Sequence, residues 1–258
     1  MKYLSAILEE KRREVEALKR QNPSARYRDV ASSLPSCRGF ARALQGEGGS
    51  IRLIAEVKKA SPSRGVIVED FDPVRIALAY EALGASALSV LTDRHFFQGS
   101  AGYLQQVAAA VSLPVLRKDF IIDELQIFES RIMGADAILL IVAALEPSEL
   151  HDYLQMAGEI GLDVLVEVHD RHELALAIES GAEVVGVNNR NLKDFSVDPA
   201  TSASLRPYFP SGVIAVSESG LKTADDIALV RDAGFDAVLI GEGLQVSSEL
   251  RSLSWPNA

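Results

Sequence analysis

The sequence predicts an α/β fold, a closed (β/α)8 barrel with an N-terminal helical extension. Three observations carry that prediction. Short, continuously apolar runs recur eight times along the 258 residues. Segments with helical spacing separate most of them. Gly84, Gly134, Gly161, Gly181 and Gly234 end five such segments, as glycines do at helix C-termini. Apolar strands alternating with helices mean a parallel sheet covered by helices. Eight such units in one chain of this length fit a closed barrel, which typically takes about 250 residues. A doubly wound open sheet is the alternative. It is weaker, because no GxGxxG follows the first strand.

The first fifty residues stand outside the rhythm. "LSAILEEKRREVEALKRQ" reads as one amphipathic helix, with Leu4, Ile7, Leu8, Val15 and Leu18 on one side. A Pro/Ser/Gly-rich link follows, through Gly48 and Gly49. Residues 1–50 are therefore expected to be an extension packed on the barrel. No linker interrupts the repeats, so residues 1–258 are expected to form a single domain. The strands then follow in order: "RLIAEVK" near Ile54, "ALSVLT" near Val90, "LPVLRKD" near Leu116, "AILLIVA" near Leu140, "DVLVEVH" near Leu165, "EVVGVNN" near Val185, "GVIAVSES" near Ala215 and "DAVLIGE" near Leu239. Between them "DPVRIALAYEALGA", "DELQIFESRIMGA", "PSELHDYLQMAGEIGL" and "DRHELALAIESGA" carry helical spacing.

Composition narrows the function. A net charge of −10 argues against nonspecific nucleic-acid binding. The lone cysteine, Cys37, excludes an intramolecular disulfide, and without a Cys/His cluster no zinc site is expected. The N-terminus is charged throughout, unlike a secretory signal. The longest apolar run, Ala137 to Leu145, is too short to span a bilayer. A cytoplasmic protein, monomeric or weakly homo-oligomeric, with no nucleic-acid or membrane partner is the expectation.

Active sites of such barrels form at the C-terminal ends of the strands. Those ends carry Glu56 and Lys58, Lys118 and Asp119, Glu167 and His169, Asn188 to Arg190, Glu218 to Gly220, and Gly241 to Gly243. Any one of these charges also fits a wet loop. Glu56 and Glu167 differ, because apolar residues flank each of them. Such carboxylates are partly buried and need partners, which Lys58 and Lys118 can supply. Converging carboxylates and ammonium groups shift one another's pKa values, which suits proton transfer. In "LPVLRKDF" Arg117 and Lys118 face opposite sides of a strand, so only one enters the mouth, and Lys118 is the choice. His169 and His172 are assigned to a wet helix start. "SESG" and "IGEG" put glycines and a serine where backbone N–H groups can approach an anion, after strands seven and eight, where barrels bind phosphate. Arg190 offers a planar fork for phosphate or carboxylate, or else a surface salt bridge with Asp194.

The stretch "LIAEVKKASPSRGVI", Leu53 to Ile67, resembles the signature of the indole-3-glycerol phosphate synthase family. The resemblance continues through "SVLTDRHFFQGS", "LPVLRKDFIIDELQI", "VEVHD", "VGVNNRNLKDFSVD", "AVSESGL" and "AVLIGEGL", and so covers essentially the whole chain. It implies a (β/α)8 barrel enzyme of tryptophan biosynthesis, working on a phosphorylated small molecule without metal or organic cofactor. It further implies Lys118 as general acid and Glu167 as general base. Lys58 would hold the substrate and share in proton transfer, with Glu56 orienting it. Asn188 and Arg190 would orient the anthranilate carboxylate. Ser219, Gly220, Gly241 and the backbone at Glu242 would take the phosphate. Ser61 and Pro62 would shape the first loop, and Phe97 and Phe120 would wall the anthranilate ring, with core packing the alternative for both. Many family members carry a small hydroxyl residue where this chain has Glu242. Its backbone N–H is expected to serve while the carboxylate points away. A class I aldolase, with an imine at Lys118 or Lys58, is the rival enzymatic reading.

Overall fold

The computed structural model describes residues 2–21, 24–46, 50–62, 64–191 and 196–255. Eight parallel strands close into a barrel: β1 (Arg52–Val57), β2 (Ala87–Leu91), β3 (Val115–Lys118), β4 (Ala137–Ile141), β5 (Asp163–Val168), β6 (Val184–Asn188), β7 (Ile214–Glu218) and β8 (Ala237–Ile240). β1 pairs with both β2 and β8, which closes the ring. Helices alternate with the strands, so this is a TIM barrel. The helix after β1, α4 (Pro73–Leu83), shows how its ends are set. Asp72 accepts hydrogen bonds from the N–H groups of Val74 and Arg75, Pro73 opens the first turn, and Gly84 closes the helix at φ 98°. Asp123 and Asp170 cap α6 (Glu124–Ile132) and α8 (Arg171–Glu179) in the same way.

Strand alternation builds two cores. Ile54, Leu116, Leu139, Leu165, Val216 and Leu239 belong to the interior cluster. Leu53, Leu88, Ile138, Val166, Val185 and Val238 belong to the layer under the helices.

The extension reaches both ends of the barrel. Its long helix α1 (Lys2–Gln21) buries Leu4, Ile7 and Val15, and Lys19 pairs with Asp123 just after β3, at the C-terminal end. The region read as a Pro/Ser/Gly-rich link instead holds two helices, α2 (Ser24–Ser32) and α3 (Phe40–Leu44). α2 is mostly polar and α3, though apolar, is only 5 residues long, so neither shows a sustained helical stripe in the sequence. Tertiary packing supplies their stability, with α2 against α6. Gly48 and Gly49 lie outside the described residues. α3 sits at the N-terminal end. The Ala41 N–H donates to Asp163 at the start of β5 (2.9 Å), and Arg38 pairs with Asp136 just before β4 (2.7 Å). Phe40 and Leu44 are wholly buried in the interior cluster. Each such side chain contributes about 1.5–3 kcal/mol when fully buried.

Among the described residues no helix is long and apolar enough to cross a membrane.

On β3 the alternation separates two adjacent charges. Lys118 points inward, and Arg117 points outward under the helical layer. Arg117 meets Glu129 (2.9 Å), the Ser130 hydroxyl (3.1 Å), Thr92 (3.2 Å) and Asp119 (3.2 Å). Arg117 thus stays out of the polar mouth, as the strand period predicts. Arg117→Met should strand two carboxylates and cost about 3–5 kcal/mol of stability, while the folded variant keeps most of its turnover. Denaturant titration alongside kcat measurement checks both halves.

Candidate active site

The C-terminal strand ends enclose a cavity of about 560 Å³, a size suited to a small phosphorylated substrate. Every residue to which the family resemblance gives a role lines it: Glu56, Lys58, Ser61, Pro62, Phe97, Lys118, Phe120, Glu167, Asn188, Arg190, Ser219, Gly220, Gly241 and Glu242. Glu56 and Lys58 lie two residues apart at the end of β1, on one face, and pair at 2.5 Å. Across the barrel Lys118 stands 3.0 Å from Glu167 and 2.6 Å from Glu218. Two glycines make room for these side chains. A Cβ at Gly241 would collide with the Glu56 carboxylate and come within 2.9 Å of Lys58 Nζ. A Cβ at Gly186, on β6, would collide with the Glu218 carboxylate.

Electrostatics set the protonation states. Burial lowers the Lys118 pKa, but Glu218, Glu167 and Glu56 outweigh it and hold the ammonium well above its ordinary range. Burial raises the Glu167 pKa, but Lys118, His169 and Asn188 outweigh it and keep the group a carboxylate. Glu218 goes the other way. Burial, together with Glu167 and Glu56, raises it from 4.5 to about 7 against the pull of Lys118. Two carboxyl groups pushed apart around one ammonium suit acid–base work.

His169 is not on a wet helix start. It is mostly buried, with Nδ1 2.9 Å from Glu173 and Nε2 3.4 Å from Glu167. Burial opposes its charge, but Glu167 and Glu173 raise its pKa to about 10. Its Nε2 faces Glu167 and favours the carboxylate form there, while His172 is exposed as expected.

The loops after β7 and β8 complete the cavity. Ser219 adopts φ 67°, a left-handed conformation that is costly for a residue with a side chain. Gly220 follows at φ 83°, where a Cβ would press on Val197 at 2.6 Å. Asn189 donates to the Ser219 carbonyl (3.0 Å) and helps to hold this turn. Asn188 Oδ1 accepts from the Arg190 N–H (2.9 Å), tying Arg190 to the end of β6. Asp194, the alternative partner for Arg190, lies outside the described residues. The Glu242 carboxylate is mostly buried at the rim of the cavity. It pairs with Arg64 of the first loop at 2.7 Å, which offsets its charge.

Residues 4–253 match the family described as indole-3-glycerol phosphate synthase. This chain belongs to that family. The indole-3-glycerol phosphate synthase of Chlorobium luteolum is 74% identical over 256 residues, covering 99% of this chain and 98% of its own. That of Chlorobaculum tepidum is 62% identical, covering 99% of this chain and 100% of its own. That of Desulfotalea psychrophila is 53% identical, covering 93% and 92%. A solved structure of N-acetylmannosamine-6-phosphate 2-epimerase from Clostridium perfringens aligns with a TM-score of 0.61 over 79% of this chain and 90% of its own. At 13% identity that likeness shows the fold alone. The activity of the indole-3-glycerol phosphate synthase family is that of a carboxy-lyase in tryptophan biosynthesis, and this chain carries it.

Sequence reasoning gave Glu218 no role in this indole-3-glycerol phosphate synthase site. Apolar flanks singled out Glu56 and Glu167, whereas Ser217 and Ser219 flank Glu218. Its signal lay in alternation, since Glu218 shares a face with the core residue Val216. A raised pKa means that Glu218 contributes stability fully below pH 4.5 and loses it as pH rises through about 7. Glu218→Gln should therefore gain thermal stability relative to the native chain between about pH 5 and about pH 8. A difference in melting temperature that stays flat or shrinks with pH would remove this assignment.

Proposed function

We propose that the cavity closes the indole ring of 1-(2-carboxyphenylamino)-1-deoxyribulose 5-phosphate with Lys118 as general acid and Glu167 as general base. The aromatic carbon that bears the carboxylate attacks the ketone carbon. Lys118 gives the ketone oxygen its proton, and CO2 leaves to restore the ring. The new hydroxyl then takes a second proton from a lysine ammonium and leaves as water, while the base removes a proton from the neighbouring carbon, which gives indole-3-glycerol phosphate. The observation that carries this reading is Lys118 Nζ, 3.0 Å from Glu167 and 2.6 Å from Glu218 at the heart of the cavity. A charged donor stands beside a persistent carboxylate, and Glu218 can return a proton to Lys118. Lys58, oriented by Glu56, holds the substrate and shares in proton transfer. Asn188 and Arg190 orient the substrate carboxylate, and Phe97 and Phe120 flank its ring. Ser61 and Pro62 shape the loop over it. The Ser219–Gly220 and Gly241–Glu242 backbone takes the phosphate.

An imine at Lys118 would need a neutral amine, which its carboxylate neighbours oppose. Borohydride with substrate should accordingly label no lysine. The net charge of −10 and the fold fit a single-domain cytoplasmic enzyme, monomeric or weakly homo-oligomeric, without nucleic acid. Burial pushes the Cys37 thiol up to about 11, which suits an inert residue.

Fluorescence-monitored indole formation by chelator-treated protein tests the reading. Lys118→Met should lower kcat by roughly 10²–10⁴-fold while substrate still binds. Near-full turnover in that variant would pass the acid's role to Lys58. Ser219→Asp should raise KM about tenfold or more by repelling the phosphate, since 1.4 kcal/mol is tenfold. An unchanged KM would put the phosphate elsewhere.

A further inference from the structure

The buried stripe of α1 contains a lysine. Leu4, Ile7 and Val15 are buried, and helical spacing puts residue 11 between Ile7 and Val15. That residue is Lys11, whose side chain is only 2% exposed. Its Nζ lies 2.8 Å from Asp119, 3.2 Å from Asp93 and 2.6 Å from Glu14. A buried ammonium carries a large desolvation cost, and a helix that needed only to pack would have an apolar residue here.

Lys11 lies outside the cavity, but what it holds forms the cavity wall. Asp93 accepts hydrogen bonds from the backbone N–H groups of Phe96 (2.8 Å) and Phe97 (3.2 Å). Asp119 accepts from the Phe120 N–H (2.8 Å) and the Thr92 hydroxyl (2.6 Å). The rings of Phe97 and Phe120 stand 6.3 Å apart, and both line the cavity. One ammonium from the N-terminal extension thus joins the two carboxylates that anchor the two aromatic residues.

We propose that Lys11 is a positioning residue that sets the spacing of Phe97 and Phe120, and with it the slot for the substrate's aryl ring. The N-terminal helix is then part of aryl recognition. This rests on the reading of Phe97 and Phe120 as walls for that ring. Lys11 acts through Asp93 and Asp119, whereas Lys118 is held separately by Glu167 and Glu218. Loss of Lys11 should therefore appear in KM before kcat.

Steady-state kinetics of the full chain test this, with anthranilate and inorganic phosphate as separate competitive inhibitors. Lys11→Met should raise KM and the inhibition constant of anthranilate by roughly 10–100-fold, the scale of a misplaced binding group. The inhibition constant of phosphate should stay unchanged and kcat at saturation should stay near native. Lys11→Arg, which keeps the charge, should recover most of the anthranilate affinity. Unchanged anthranilate inhibition in Lys11→Met overturns the proposal. So does an equal loss for both inhibitors, which is general loosening of the fold. If Lys11→Met does not fold, Lys11→Gln keeps a donor for Asp119 and is read in the same way. Phe97→Ala separates the two layers of the argument. If it leaves anthranilate inhibition intact, the aromatic-wall reading falls and takes the proposal with it. If it weakens inhibition while the Lys11 variant does not, only the role of Lys11 falls.

Discussion

Glu56, Glu167 and Glu218 share one end of a closed barrel, each no more than 5% exposed. Three buried carboxyl groups repel one another and are costly to desolvate. Lys58 and Lys118 offset part of that cost, and the remainder appears as the divergent pKa values of Glu167 and Glu218. Much of the surrounding structure serves this cluster. Gly186 and Gly241 leave room for the side chains, His169 and Asn188 keep Glu167 charged, and the apolar interior excludes water from beneath. A donor and an acceptor of protons can then sit in contact at neutral pH.

The charged sequence at the end of β3 shows how one strand serves three surroundings. Lys118 enters the cavity, Arg117 is locked beneath α6, and Asp119 bridges to the extension. None of the three is a solvated loop charge. Strand period separates the first two, and the end of the strand frees the third. Substitutions here should differ in kind: loss of proton transfer at Lys118, loss of stability at Arg117, and loss of alignment around Asp119.

The N-terminal extension acts at opposite ends of the barrel. Phe40 and Leu44 close the end away from the chemistry, and α1 reaches the strand ends near the site. Both parts contribute apolar burial, and α1 adds the buried charge of Lys11. The segment outside the eightfold repeat thus joins both the interior cluster and the strand ends near the site.

The sequence by itself determined the alternation of strands and helices, the helix-ending glycines, the opposed faces of Arg117 and Lys118, and the family. Those properties are local, since strand period, capping and motif identity depend on neighbours a few residues away. Only the tertiary structure decided that Glu218 joins Lys118, that His169 faces Glu167, that Arg64 takes up Glu242, and that Lys11 lies buried between Asp93 and Asp119. Lys118 meets partners 49 and 100 residues away. Electrostatic states depend on such distances, and barrel closure sets them, whatever the flanking residues suggest. A serine on either side hid Glu218, and a run of charges hid His169, because burial is a property of the closed barrel rather than of the local sequence.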